Sequence, residues 1–277
     1  MNILYCGNKK IEDGLIISVL SMLKTTREPV NIYILTMDIE DGEYYCEPVR
    51  DETIQYLNNM VKQQSEQSFV KKYNVEELFL ANIPKANLGT RFTPFCMLRL
   101  FADEIKELPD KILYLDNDVV CRKDIKDFYN TDLADNEIAG VLDYYGSWLF
   151  RNRIFKRDYI NSGVLLLNLK KIKETGLFEK CRNMCRDEKM FMPDQSAINK
   201  LAQGKMLMPR RFNEQRKLKK ETVMQHFTTS FRFFPWVRTV SVKPWDVDRM
   251  HSVLKLYEYD ELLHEYKECM TQIDSAV

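Results

Sequence analysis

The amino-acid sequence predicts an α/β fold with a mostly parallel central sheet buried on both faces. Three observations support this. Apolar runs such as NILYC (2–6) and KILYL (111–115) lack polar alternation, as strands covered on both sides do. Segments with helical apolar spacing are interleaved with these runs. The chain also opens with strand, helix, strand inside about 35 residues, the length of one βαβ unit.

Residues 2–6 form the first expected strand, and Cys6-Gly7-Asn8 supplies a turn after it. Residues 11–25 repeat apolar positions at helical spacing with acids in the first turn, which the helix dipole favours. A second strand follows at 30–36, then a polar stretch to residue 65 holding one helix between loops, then a strand over 68–75. The pattern at 93–108 is helical and stops before Pro109. Strands are expected at 111–121, 135–145 and 160–172, the last running into a helix that ends near residues 186–194. From about residue 205 the regularity fades into a basic run at 209–221 and an aromatic-rich stretch at 226–246. The tail after 247 has an amphipathic helical pattern, so the expected organisation is one domain over 1–246 with a helical extension, 247–277, packed on or near it.

The 277 residues suit one large domain with an appendage. Forty-one basic and forty-one acidic residues leave no net charge, which argues against nucleic acid as the main partner. The N-terminus lacks a basic lead before an apolar core, and no apolar run reaches about eighteen residues. A cytoplasmic location is therefore expected, with no transmembrane segment. The seven cysteines (6, 46, 96, 121, 181, 185 and 269) are scattered without metal-ligand spacing and read as reduced thiols.

The candidate chemistry starts at KILYLDNDVVC (111–121), where a buried strand ends on Asp116 and Asp118. On an extended segment these two side chains share a face, and Asn117 takes the other. Two carboxylates so close repel unless a cation lies between them, and Mg²⁺ or Mn²⁺ suits two carboxylates with phosphate oxygens. Capping of a turn is the plain alternative. His226, one of three histidines, ends a short apolar run; imidazole beside two carboxylates favours Mn²⁺ over Mg²⁺.

ILYLDNDVVC, INSGVLLLNL, MPDQSAIN, QHF and VKPW, in that order, resemble glycosyltransferase family eight, from residue 2 to about 246. That family includes bacterial lipopolysaccharide galactosyl- and glucosyltransferases and glycogenin. The resemblance implies a GT-A fold, Rossmann-like with flanking helices, and a retaining hexosyltransferase that uses a UDP-sugar and Mn²⁺. UDP-glucose or UDP-galactose is the favoured donor, and the acceptor is a saccharide or glycoprotein of bacterial surface polysaccharide or glycoprotein assembly. By the same match, Asp116, Asp118 and His226 hold the metal. Cys6, Gly7, Asn8, Arg99, Asn117 and Lys243 bind the donor, and Gln195, Asp194, Asp143 and Asn161 face the reacting sugar. Asn8 stands where the family often has aspartate. The segment between His226 and Lys243 is longer than the pattern and lacks its glycine, so Thr229, Ser230 or Arg232 are candidates for phosphate contacts.

An amide is too weak for ordinary covalent catalysis. Front-face attack, with Gln195 and Asp194 stabilising an oxocarbenium-like state, is favoured over double displacement. Two other readings are a nucleotide-sugar hydrolase or phosphotransferase, which lacks the usual G-x-x-x-x-G-K-[ST] loop, and a non-catalytic carbohydrate- or protein-binding module. The aromatic stretch FRFFPW (231–236) is expected to pack in the core or cover the donor, and the basic run 210–220 to be a solvated face. Peripheral contact with the inner face of a bacterial membrane is the one membrane role left open.

Overall fold

The computed structural model describes residues 1–41, 44–88, 94–146, 158–232, 236 and 238–275. Among these described residues thirteen strands run in chain order: β1 (Asn2–Cys6), β2 (Asn31–Thr36), β3 (Ile39–Asp41), β4 (Tyr44–Cys46), β5 (Phe69–Asn74), β6 (Lys111–Leu115), β7 (Val119–Cys121), β8 (Ile138–Leu142), β9 (Ile160–Asn168), β10 (Lys205–Leu207), β11 (Met224–His226), β12 (Ser230–Arg232) and β13 (Arg238–Val240). Seven of them form the central sheet, in the order β10-β8-β9-β6-β1-β2-β5. β2, β5 and β6 pair in parallel with their neighbours in the β1 half, and β10 pairs in parallel with β8. β9 runs antiparallel to both β6 and β8, so it is the one reversed strand of this sheet.

That reversal positions the site. Ligands of open α/β sheets gather beyond the carboxyl ends of the strands. The reversed β9 brings its amino end to that same edge: Val164 pairs with Leu115 and Ile160 with Leu142. Asn161, Ser162 and Gly163 therefore stand beside the residues that leave β6 and β8. β9 is buried through Leu167, as its apolar run VLLL requires.

Helices cover the sheet. The helix Glu12–Thr25 buries Leu15, Ile16, Val19 and Leu20 against it. The C-terminal helix Asp260–Asp274 packs on that helix and adds Leu263, Tyr266 and Ile273 to the same core. Polar ties join the two ends of the chain: Tyr266 donates to Asp13, and Arg50 bridges the buried Glu12 (2.7 Å) and Asp274 (2.9 Å). Among the described residues no helix is long and apolar enough to cross a membrane.

The structure departs from the sequence expectations in four places. Residues 94–101 form a 3₁₀ helix followed by turns rather than an α-helix to 108. Arg99 Nε takes the Cys96 carbonyl (2.8 Å), and Ala102 and Glu104 bond three residues back, so the α ladder never forms. The segment 111–121 is two strands broken by a turn at 116–118, with Val119 N–H on the Asp116 carbonyl (3.2 Å). After β9 the chain forms two helices, Leu169–Thr175 and Leu177–Asp187, because Gly176 adopts φ 65°, a left-handed stop. Finally, Trp236 is 77% exposed near the tip of the β12–β13 hairpin, where the sequence suggested core packing or a cover. Residues 233–235 of that aromatic stretch lie outside the described residues.

Candidate active site

β6 delivers Asp116 to the carboxyl edge, and the turn carries Asp118 back toward β7. The two carboxylates share a face through this turn rather than through extended backbone. β7 then pairs antiparallel with β11, Val119 opposite His226. The pairing sets the imidazole against the acids: His226 Nε2 lies 3.5 Å from Asp116 Oδ2 and 3.1 Å from Asp118 Oδ1. Asn117 points away, its amide 3.5 Å from the Ile11 carbonyl.

Each acid has a further cationic partner. Asp116 Oδ1 accepts from Arg99 Nη2 (3.0 Å) and from the Tyr114 hydroxyl (2.6 Å). Lys243 Nζ contacts Asp118 Oδ2 and the Phe227 carbonyl. Burial by itself raises both carboxyls; Arg99, His226 and Tyr114 outweigh it at Asp116, and Lys243 and His226 at Asp118, so both are held below the usual carboxylate range. Burial lowers the imidazole, but the two carboxylates reverse this and push His226 up to about 9.

These residues fit a divalent cation. Their ligand atoms lie within 4.8 Å of one another, and Asp118 Oδ1 is buried without an aligned hydrogen bond. The cradle is kept clear by Gly163, where a Cβ would meet His226 Cε1 at 2.1 Å and Asp116 Oδ2 at 2.6 Å. A mixed carboxylate and imidazole set is one that Mn²⁺ accepts.

Across a cavity of about 340 Å³ stands a second polar group. Asp143, just after β8, accepts from the backbone of Tyr145 (2.9 Å) and Gly146, from Asn161 Nδ2 (2.8 Å) and from Gln195 Nε2 (3.3 Å). Gln195 Oε1 accepts from Ser162 N–H at 2.9 Å. Asp194 and Gln195 enter from the first turn of the helix Pro193–Leu201, and Asp194 Oδ2 lies 3.3 Å from Arg99 Nε. Arg99 thus sits buried between Asp116 and Asp194, with its guanidinium 4.0 Å from the Tyr114 ring centre.

Most of the residues singled out in the sequence line this cavity: Cys6, Arg99, Asn117 and Lys243, the three metal candidates, and Asp143, Asn161, Asp194 and Gln195. Gly7 and Asn8 do not. Gly7 N–H is bonded to the Leu35 carbonyl, and the buried Asn8 accepts from Ile11 N–H through its own carbonyl. Lys243 reaches Asp118 because the β12–β13 hairpin loops the extra residues out and returns the chain. Thr229 lines the cavity, while Ser230 Oγ is engaged by the Val240 carbonyl. The side chain of Arg232 lies outside the described ones.

Sequence reasoning missed Tyr114, Ser162 and Asn213. Asn213 lies in the basic run, whose middle, Phe212 to Gln215, is buried while Arg211 and Arg216 to Lys217 are exposed. The FNEQ core, which holds no basic residue inside a basic run, was the available signal.

A Rossmann-like sheet with an Asp-x-Asp turn and a histidine at its carboxyl edge, facing amides and acids across one cavity, defines a GT-A glycosyltransferase. The sequence profile described as glycosyl transferase family 8 matches residues 2–248, and the chain belongs to that family. A lipopolysaccharide 1,2-glucosyltransferase of Escherichia coli K12 is 25% identical, over 98% of this chain and 86% of that protein. A Haemophilus influenzae relative that carries a glycosyltransferase name is 27% identical over 77% of this chain, but the match spans only 63% of that protein. Among solved structures, the galactosyltransferase LgtC in complex with donor and acceptor sugar analogs superposes with a TM-score of 0.68 at 18% identity, covering 97% of this chain and 96% of that one. GlyE of Streptococcus pneumoniae superposes at 0.63 and 18% identity, covering 95% and 63%. At these identities the structural likeness establishes the fold.

Proposed function

We propose that this glycosyltransferase moves a hexose from UDP-glucose or UDP-galactose to a saccharide or glycoprotein acceptor, with retention at the anomeric carbon and with Mn²⁺ held by Asp116, Asp118 and His226. One observation carries the reading: the Asp116–Asp118–His226 cluster and the Asp143–Asn161–Asp194–Gln195 group face the same cavity. When bound, the cation supplies Lewis-acid neutralisation of the departing diphosphate.

The protein's own groups do the rest. Arg99 fixes Asp116 and Asp194 together, so the metal corner and the sugar side share one rigid strut. Lys243 is about one-third exposed on a flexible stem, which lets its ammonium leave Asp118 for a phosphate oxygen. The carboxylate of Asp143 takes four donors and that of Asp194 is paired with Arg99, which lowers the nucleophilicity of both. Gln195 is an amide tied at both ends. This arrangement favours front-face attack, with the acids and the amide oxygen stabilising positive charge on the sugar. Relatives named lipopolysaccharide glucosyl- and galactosyltransferases support a bacterial surface saccharide as the acceptor, and action at the cytoplasmic face of the membrane is part of this proposal.

The test is a screen of UDP-sugars for Mn²⁺-dependent release of UDP, which needs no acceptor. The expected result is release with UDP-glucose or UDP-galactose, lost on chelation and in Asp118→Asn. Release that persists in chelator, or none with any UDP-sugar, overturns the reading. A release rate unmoved by any added saccharide acceptor favours the hydrolase instead.

A further inference from the structure

We infer that Asn213 is a positioning residue that fixes the tautomer and orientation of His226 for metal ligation. This rests on the proposed metal site above. Asn213 is fully buried after the 3₁₀ turn Arg210–Phe212 and touches neither the cavity nor the acids. Its Oδ1 lies 3.2 Å from His226 Nδ1, and its Nδ2 donates to Asn161 Oδ1 at 2.9 Å.

The donor directions along this chain follow from its fixed ends. Asn161 faces a carboxylate on one side, Asp143 Oδ2 at 2.8 Å, which accepts only. On its other side it faces the backbone N–H of Gly163 at 3.1 Å, which donates only. Asn161 must therefore present Nδ2 to Asp143 and Oδ1 to Gly163. With Oδ1 an acceptor, Asn213 must offer it the NH₂ end. That turns Asn213 Oδ1 toward His226, so Nδ1 of the ring is the donor. The remaining nitrogen, Nε2, is the one that faces Asp116 and Asp118. A ring ligating through Nε2 needs its proton on Nδ1, and this network holds it there. The same four side chains, Asp143, Asn161, Asn213 and His226, link the sugar side of the cavity to the metal corner through buried hydrogen bonds.

The experiment titrates the full chain with Mn²⁺ alone, reading free Mn²⁺ by electron paramagnetic resonance, for wild type, Asn213→Ala and Asn213→Asp. Alanine removes the acceptor and is expected to weaken Mn²⁺ binding about 10- to 100-fold. Aspartate forfeits the bond to Asn161 Oδ1, which costs stability, but still accepts from Nδ1–H and keeps the ring oriented, so its Mn²⁺ affinity should stay within a few-fold of wild type. A purely structural role would not separate the two. A second readout uses ¹⁵N-histidine spectra with Zn²⁺ as a diamagnetic probe; with three histidines in the chain, assignment is tractable. Wild type should show a protonated Nδ1 and a ligated Nε2 at His226, and Asn213→Ala should lose that signature. If wild type binds no Mn²⁺, the metal-site reading fails. If wild type binds and Asn213→Ala binds equally well, the positioning role fails. Should Asn213→Ala not melt cooperatively, Asn213→Asp decides alone: tenfold or greater loss in a folded variant overturns the inference.

Discussion

Replacing Gly163 by alanine tests the metal cradle with a single methyl group. Gly163 does not have a positive φ, so alanine costs nothing in backbone conformation and acts by volume alone. Its Cβ would sit 2.1 Å from His226 Cε1 and 2.6 Å from Asp116 Oδ2. Carbon atoms in contact settle near ~3.5 Å, so the ring or the strand must yield by roughly 1.4 Å. Ligand distances tolerate about 0.2 Å, so a displacement of that size removes the imidazole from the coordination shell. The expected loss in Mn²⁺ affinity is at least ~10- to 100-fold, or about 1.4–2.7 kcal/mol. Overpacking should also lower stability by about 1–3 kcal/mol. Calorimetric titration with Mn²⁺ reads the first quantity and urea denaturation the second. Gly204→Ala, whose Cβ would meet Asn136 Cα at 2.8 Å outside the cavity, should lose stability and keep its metal. A folded Gly163→Ala that binds Mn²⁺ as wild type does would refute the geometry argued here.

Three further outcomes are expected. His226 titrates at about 9 in the cation-free protein against 6.5 for a free imidazole, so its pairing with the two carboxylates stabilises fully below about 6.5 and is lost as the pH rises through 9. Mn²⁺ must displace that proton, so its affinity should rise ~10-fold per pH unit over the same window while the melting temperature of the chelated protein falls; a flat affinity profile counts against the imidazole as ligand. Gln195→Ala should cut kcat by about 10²–10³ while Mn²⁺ binding stays intact, since it touches Asp143 and Ser162 and not the cluster; unchanged turnover would remove Gln195 from the chemistry. Ile273→Ala, buried on the C-terminal helix against the core of the helix Glu12–Thr25, should cost about 2–5 kcal/mol in urea unfolding, and a loss near zero would mean the extension is not part of the folding unit.

Much of the site was legible because its signals are local. The apolar runs of β1, β2, β6 and β9 are strands that need no context to be recognised. Asp116 and Asp118 follow the end of such a strand, and Asp194 and Gln195 open a helix, places where chemistry-bearing residues stand out from core. Arg99 was picked out and lines the cavity although its helix was misread, since its place between Asp116 and Asp194 does not depend on α or 3₁₀ winding. The helix failed as an expectation because a side-chain bond from Arg99 to the Cys96 carbonyl competes with the ladder, and periodicity carries no trace of that competition.

By itself the sequence determined which segments are buried, which acids end a buried strand and which family they belong to, because these depend on residues adjacent in the chain. Only the tertiary structure decided that β9 runs backwards and sets Asn161 to Gly163 beside Asp116. It alone decided that β7 pairs with β11, closing about a hundred residues of chain to bring His226 onto the acids, and that Asn213 emerges from a basic run to hold that ring. Strand direction and long-range pairing are fixed by how whole faces bury against one another, and a polar side chain's partner is whatever that burial leaves within hydrogen-bond reach.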